Sequence, residues 1–256
     1  MLLALDAGNS NITIGAFEET KLIGRWRLRT IHEQTADEWG VLMRNLFALA
    51  SLDLERVDGI VIASVVPTLD APLHAMAQRY FQTTPLFITP GMDIGLKVLY
   101  DNPREVGADR VVNGVAAFHR YGGPSVVVDL GTTINFDIVS ANAEYLGGMI
   151  CPGIGMSITG LFAKTARLPM VDLREPACLI GKNTVNSIQS GLYYGFAGLI
   201  DGILERVVAE FGSQTKVIAT GGQAQLIARA TRSIQEINED LTLEGLEIIW
   251  RRNRKK

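Results

Sequence analysis

The hydrophobic pattern changes period several times along the chain, and those changes mark out its elements. Residues 2–6 form a short apolar run ending on Asp6, the pattern of a buried strand. Gly8 and Asn9 turn the chain, and ITIGAF and KLIGRWRL follow as two more strands, so the chain opens as a β-meander. Thr35, with Glu38 three residues later, is a capping box that starts a helix running to about Ser51. Residues 57–63 read as a buried parallel strand, Leu69–Tyr80 as a helix and PLFIT as a short strand. Residues 91–104 carry Gly, Asp, Asn and Pro and read as a loop. An amphipathic helix is predicted from Glu105 to about Tyr121.

The second half repeats the opening. PSVVVDL is a strand ending on Asp129, Gly131 makes the turn, INFDIVS returns and EYLGGMIC gives a third strand. Helices are predicted near 155–166 and 184–211, then KVIAT as a buried strand ending on Gly221-Gly222, and a last helix over Thr242–Asn253. Two similar three-strand openings about half a chain apart indicate duplication of one unit. Strands alternating with helices imply a mostly parallel or mixed sheet in each half. The expected fold is α/β, with duplicated domains over 1–115 and 116–256, each a mixed sheet flanked by helices.

Composition narrows the class of partner. The chain has 256 residues, 47% apolar and 20% charged, with a formal net charge of −3. Nothing in that balance asks for nucleic acid or a membrane surface. The closing RRNRKK reads as a solvated helix end that suits the negative pole of the helix dipole. Cys151 and Cys178 have no metal or redox spacing, and His32, His74 and His119 share no ligand spacing. The start lacks a basic leader, and no apolar run reaches the roughly 18 residues of a membrane span. The expectation is a cytoplasmic protein.

DAGNSNITIG and DLGTTINFD share one logic. A strand delivers an Asp to the mouth of a tight turn, Gly lets the backbone approach a phosphate, and backbone N–H groups form an anion nest. An Asp repels phosphate, so its natural partner there is a cation, or water around one. A single Asp-x-Gly turn is common, but two at matched strand ends, followed by Gly221-Gly222, follow the order of the actin-like ATPases. A P-loop is excluded because Pro176 and Asn183 stand where IGKNT would need Gly and Ser or Thr, and Ile158 breaks a dinucleotide fingerprint in GIGMSITG. In REVGADR, Glu105 and Asp109 are four apart and share a helix face if that turn is helical. An Asp beside Arg110 can take a hydroxyl proton, or can simply cap the helix.

Ordered blocks along the chain resemble the bacterial type III pantothenate kinases. They include D-A-G-N-S-N at the start, T-A-D-E-W at 35–39, S-V-V-P at 64–67, E-V-G-A-D-R at 105–110 and D-L-G-T at 129–132. They continue with P-G-I at 152–154, T-A-R-L-P at 165–169, I-G-K-N-T at 180–184, Q-S-G at 189–191, A-T-G-G at 219–222 and L-T-L-E-G-L at 241–246. The resemblance implies an actin-like (ribonuclease H-like) fold, a homodimer, and ATP-dependent phosphorylation of pantothenate with Mg²⁺ and a monovalent cation, K⁺ or NH₄⁺. It implies Asp109 as the base, and Tyr100, Gly107, Ala108, Asp109, Arg110 and Thr184 as pantothenate contacts. Asp6, Ala7, Gly8, Asn9, Ser10, Asn11, Ile12, Thr13 and Thr132 would line the ATP phosphates, and Asp129 would hold the monovalent cation. Thr133 and Asn135 depart from the family's usual Ala and Thr. Two other readings stand beside this one: another kinase of the actin-like class acting on a sugar, and a non-catalytic accessory factor.

Overall fold

Strand pairing sorts the chain into two sheets built on the same plan. The computed structural model describes residues 1–165 and 167–254. In the first sheet β1 (Leu2–Ala7) pairs antiparallel with β2 (Asn11–Glu18), and β2 with β3 (Lys21–Arg29). β1 also runs parallel to β4 (Gly59–Ser64), which carries the two-residue β5 (Leu86–Phe87) at its edge. The order is β3-β2-β1-β4-β5. β1 and β4 are central and covered on both faces, which is why LLALDA and GIVIAS are nearly continuous apolar runs. At the edge, β3 alternates exposed Arg25, Arg27 and Arg29 with part-buried Trp26 and Leu28.

One face of this sheet packs on α1 (Ala36–Leu49) and α2 (Pro67–Phe81). Leu3, Leu5, Ile12, Ile14, Ile60 and Ile62 meet Trp39, Met43 and Phe47 of α1 and Leu69, Leu73 and Met76 of α2. The predicted capping box is present: Thr35 Oγ1 accepts from Glu38 N, and Glu38 Oε2 accepts from Thr35 N at 2.8 Å. The helix expected from Glu105 begins later, as α3 (Ala108–Tyr121). Pro103–Glu105 is a separate 3-10 turn capped by Asn102, and Val106 is extended. Glu105 and Asp109 therefore do not share a helix face.

The second sheet contains β6 (Lys97–Val98), β7 (Ser125–Leu130), β8 (Thr133–Val139), β9 (Glu144–Pro152), β10 (Lys216–Thr220) and β11 (Glu236–Ile237). Its order is β11-β10-β7-β8-β9-β6. β7, β8 and β9 are antiparallel neighbours and β10 runs parallel to β7, as β4 does to β1. The duplicated plan is thus real, with β6 added at one edge. β6 lies inside the stretch predicted to be a loop. Two residues cannot show a period of two, and the strand exists because the edge of β9 supplies its bonds: Lys97 N donates to Ala143 O at 2.9 Å and Leu99 N to Tyr145 O at 2.8 Å.

This second core joins Val126, Val128, Leu130, Ile134 and Phe136 of the sheet to one stripe of α5 (Thr184–Phe211), namely Tyr193, Phe196, Ile200, Leu204 and Val207. α4 (Ile154–Ala163) precedes α5, and α6 (Ala224–Ala228) adds Ala224 and Ile227 to the core.

Two compact units result. One comprises Met1–Leu96, Tyr100–Ala116 and the chain from Leu241; the other comprises Lys97–Leu99 and Ala117–Asp240. The division inside α3 falls next to the expected boundary at 115/116. The last helix, α7 (Leu241–Asn253), was assigned by chain order to the second half but belongs to the first unit. Its buried stripe, Leu241, Leu243, Leu246 and Ile249, explains this. Gly15 and Gly59 have no Cβ, which leaves room for Leu243 and for the Trp250 ring; Thr242 Oγ1 donates to Asn113 Oδ1 at 2.7 Å. In the closing basic run, Arg251 pairs with Glu247 and Arg252 with Asp93, both at 2.6 Å, while Lys255 and Lys256 lie outside the described residues. So does Ala166 of the T-A-R-L-P block. No helix among the described residues is long and apolar enough to cross a membrane.

Candidate active site

In the first unit β1 carries Asp6 to the mouth of the turn, directly opposite Thr13 of β2. The turn closes with Gly8 N donating to Asn11 O at 3.1 Å. It is braced from outside by Thr30, whose hydroxyl donates to Gly8 O at 2.6 Å and whose N–H donates to Ser10 O at 3.1 Å. That brace was invisible in the sequence, because Thr30 lies one strand away. Of the stretch 6–13, Ala7 and Ile12 point into the core, so they can serve a ligand only through their backbone. Asn9 and Ser10 are exposed.

Asp109 lies in the first turn of α3, where its Oδ1 accepts from Arg110 N at 2.9 Å. Burial raises the Asp109 carboxyl above the ordinary carboxylate range, and the Arg110 backbone N–H and guanidinium oppose that shift only partly. A carboxylate so placed is a better proton acceptor than a solvated one. Gly107 is required by the same geometry, since a Cβ there would stand 2.5 Å from Asp109 Oδ1. Arg110 is buried, and Tyr100 is half-buried at the start of the segment that leads to α3.

In the second unit Asp129 ends β7 opposite Asn135 of β8, with Thr220 of β10 as its register partner on the other side. Gly131 N donates to Thr133 O at 3.0 Å to close the turn. Two glycines from elsewhere in the unit press on it. A Cβ on Gly221, whose φ is +91°, would stand 2.5 Å from Asp129 Oδ1 and 2.7 Å from the Leu130 carbonyl carbon. A Cβ on Gly153 would overlap the Thr132 carbonyl. The sequence marked Gly221 as a strand end and as the third glycine motif after the two Asp-x-Gly turns, and Gly153 only as part of the P-G-I block. Their shared contact with one turn is a tertiary fact.

Thr184 is the first residue of α5 and is exposed, beside exposed Lys182. Asn183 caps this helix, its Oδ1 accepting from Asn186 N at 2.9 Å. Gly181 packs on the first turn so closely that a Cβ would overlap Ser187 N, and Ser187 Oγ donates back to Gly181 O at 3.2 Å. IGKNT is therefore a helix start, with a positive dipole end and unfilled N–H groups, rather than a phosphate loop.

The donor set suits some cations and not others. No group of three or more His, Cys, Asp or Glu side chains among the described residues could hold a metal ion. Asp6 and Asp129 each stand at a glycine turn, and carboxylate, carbonyl and water oxygens suit hard cations that keep water or phosphate as further ligands.

Comparisons with known proteins identify the family of the chain. The family model described as type III pantothenate kinase matches residues 2–206. The type III pantothenate kinase of Solibacter usitatus is 65% identical over 99% of this chain and 97% of its own. Those of Koribacter versatilis and Anaeromyxobacter dehalogenans are 53% and 54% identical, each over 99% of this chain and over 96% and 100% of their own. Among solved structures, component A of the Acidaminococcus fermentans (R)-2-hydroxyglutaryl-CoA dehydratase aligns with a TM-score of 0.56 at 11% identity, covering 97% of this chain and 95% of its own. A Campylobacter jejuni protein provisionally assigned to the Baf family of transcriptional activators aligns with a TM-score of 0.60 at 19% identity, covering 98% of each chain. Both speak for the actin-like fold alone. A match across most of the chain, with relatives above half identity over nearly its full length, leaves one conclusion: this chain belongs to the type III pantothenate kinase family.

Proposed function

We propose that the protein transfers the γ-phosphoryl group of ATP to the primary hydroxyl of pantothenate, giving 4'-phosphopantothenate and ADP, the first step of coenzyme A biosynthesis. The observation that carries this reading is the near-full-length similarity to type III pantothenate kinases, together with a part-buried carboxylate, Asp109, whose pKa desolvation raises, inside the block that the broader ATPase class lacks.

The pantothenate hydroxyl oxygen forms the new bond to the γ-phosphorus as the bond to the bridging oxygen of ADP breaks, and Asp109 receives the hydroxyl proton. In-line transfer of this kind depends on positioning and charge neutralisation more than on covalent help. Gly107, Ala108, Arg110, Tyr100 and Thr184 would orient pantothenate, with Arg110 matched to its carboxylate. The turn from Asp6 to Thr13, and Thr132, would hold the phosphates through backbone N–H and hydroxyl donors. Bound Mg²⁺ and a monovalent cation, K⁺ or NH₄⁺, would neutralise phosphate charge, the first beside Asp6 and the second beside Asp129. A homodimer in the cytoplasm completes the reading. The exposed apolar side chains Met156, Leu161 and Phe162 of α4, and Val185 and Tyr194 of α5, support an association surface in the second unit.

The test is direct. Purified protein with ATP, Mg²⁺ and K⁺ is expected to convert pantothenate to a product heavier by one phosphoryl group, and to leave a panel of sugars and N-acetylated sugars untouched. Phosphorylation of a sugar instead would favour the sugar-kinase reading. No turnover of any acceptor would favour the accessory-factor reading. Equal rates in Na⁺, K⁺ and NH₄⁺ buffers would remove the monovalent cation.

A further inference from the structure

Asp109 is carried by α3, and the last helix of the chain, α7, is fastened to α3 one turn further on. Asp109 and Asn113 are four residues apart on α3, so they share one side of the helix. Asn113 is 1% exposed, and its carboxamide oxygen accepts from Thr242 Oγ1 of α7 at 2.7 Å. Three residues further along α7, and on the same side of it, Gly245 meets the backbone of α3. A Cβ on Gly245 would overlap the Val112 carbonyl oxygen and stand 2.7 Å from Val112 Cγ1. Leu243, between these two residues, meets the sheet instead: its Cδ1 lies 2.9 Å from where a Cβ on Gly15 of β2 would stand. Gly15 is two residues from Thr13, the register partner of Asp6. Four consecutive residues of α7 thus bear both on the helix that carries Asp109 and on the strand that closes the Asp6 turn.

We propose that Thr242, Asn113 and Gly245 are positioning residues for phosphoryl transfer: the hydrogen bond and the close approach hold the first turns of α3, and so Asp109, at a fixed place relative to the Asp6 turn. Successive turns of a helix are tied by backbone hydrogen bonds four residues apart, so a shift at residues 112–113 is carried to residue 109. The three residues act through α3 and not on a substrate. In-line transfer is sensitive to such shifts, because a misplacement of about 1 Å costs on the order of 10²-fold in rate. The Thr242 hydroxyl is the part that substitution can remove cleanly. Its loss takes a partner from a buried carboxamide, which favours a move of α3 that finds another. The inference rests on the proposed role of Asp109 as the base.

Four variants and two readouts test it. Thr242→Val keeps the shape but removes the hydroxyl, Thr242→Ser keeps the hydroxyl, and Gly245→Ala sets a methyl group against Val112. Thr35→Ala, which loses the cap of α1, is the control for lost stability alone. The first readout is kcat for pantothenate phosphorylation, with the KM for ATP, at a temperature where every variant is folded. The second is Tm. Thr242→Val is expected to lower kcat about tenfold with the KM for ATP unchanged, and Gly245→Ala to lower kcat about 10²-fold. Thr242→Ser should restore most of the loss. Thr35→Ala should lower Tm and leave kcat at the wild-type value. The Thr242→Val/Asn113→Ala double variant should be no slower than Asn113→Ala alone, because the two residues act through one contact.

If Thr242→Val and Gly245→Ala lower Tm but keep the wild-type kcat, as Thr35→Ala does, the contacts are only structural and the proposal is overturned. A loss of kcat that Thr242→Ser fails to restore overturns it as well, because the hydroxyl is then not the cause. If Asp109→Asn keeps a near-normal rate, the base role of Asp109 falls, and this inference with it; if Asp109→Asn is inactive while the α7 variants turn over normally, only this inference falls. If Gly245→Ala does not fold, Thr242→Val and Asn113→Ala carry the same two readouts, and an unchanged kcat in both overturns the proposal.

Discussion

At the residue scale, Asp109 links stability to chemistry. Burial makes its ionised form costly in the folded protein, so its folded pKa lies above its unfolded one. For an acid shifted this way, stability falls as pH rises through the window between the two values. Asp109 therefore works against folding at neutral pH. Asp109→Asn is expected to unfold at a Tm no lower than wild type. The same shift places the acid limb of kcat/KM above the ordinary carboxylate range, since a protonated Asp109 cannot accept the hydroxyl proton. A pH–rate profile that stayed flat down to ordinary carboxylate values would contradict this. Gly221 is the second residue with a sharp expectation. Gly221→Ala forces a side chain onto a positive φ and against Asp129 Oδ1. It should cost about 1–3 kcal/mol of stability from backbone strain alone, read by urea unfolding, and should also weaken the K⁺ response.

The residues that sequence could name were those whose chemistry sits in a contiguous block, such as Asp6, Asp129 and the Glu105–Arg110 stretch. What it could not show was partnership across strands. Thr30 bracing the first turn and Gly153 pressing on the second are brought there by tertiary packing. Thr133 and Asn135, two separate departures from the usual family pattern, prove to be hydrogen-bonded to each other. The spacing of i and i+2 on a strand puts them on one face, but only the coordinates show the bond.

At the element scale, long strands and well-capped helices were legible because local and tertiary preferences agree there. The capping box at Thr35 is the clearest case: the same four residues stop the chain, satisfy two backbone donors and start α1. Thr35→Ala is expected to cost about 1 kcal/mol, seen as a shift of the denaturation midpoint with an unchanged slope. Two elements were not legible for opposite reasons. β6 has too few residues to carry a pattern and depends on the edge of β9. α3 was read as starting at Glu105, because the 3-10 turn at Pro103–Glu105 has helix-like composition and only Val106 and Gly107 separate it from α3.

At the scale of the whole molecule, the repeated order of β3-β2-β1-β4-β5 and β9-β8-β7-β10-β11 makes the duplication a structural fact, each copy with its own core. Chain order alone misplaced α7, because nothing local says which sheet its apolar stripe will cover. Gly15 and Gly59, the positions it covers, show that the first sheet is shaped to receive it. Each unit depends on a few large buried side chains. Phe47→Ala in the first core should destabilise by about 3–5 kcal/mol and Leu204→Ala in the second by about 2–5 kcal/mol, both measurable by urea denaturation. The central claim for the molecule is that these two copies serve pantothenate phosphorylation with Asp109 as the base. Its most direct test is the rate of phosphopantothenate formation by wild type and Asp109→Asn at saturating ATP, Mg²⁺ and K⁺. The account predicts product from wild type and a loss of about 10²–10⁴-fold in kcat for the variant, with its Tm undiminished. A variant rate within a few-fold of wild type would contradict it.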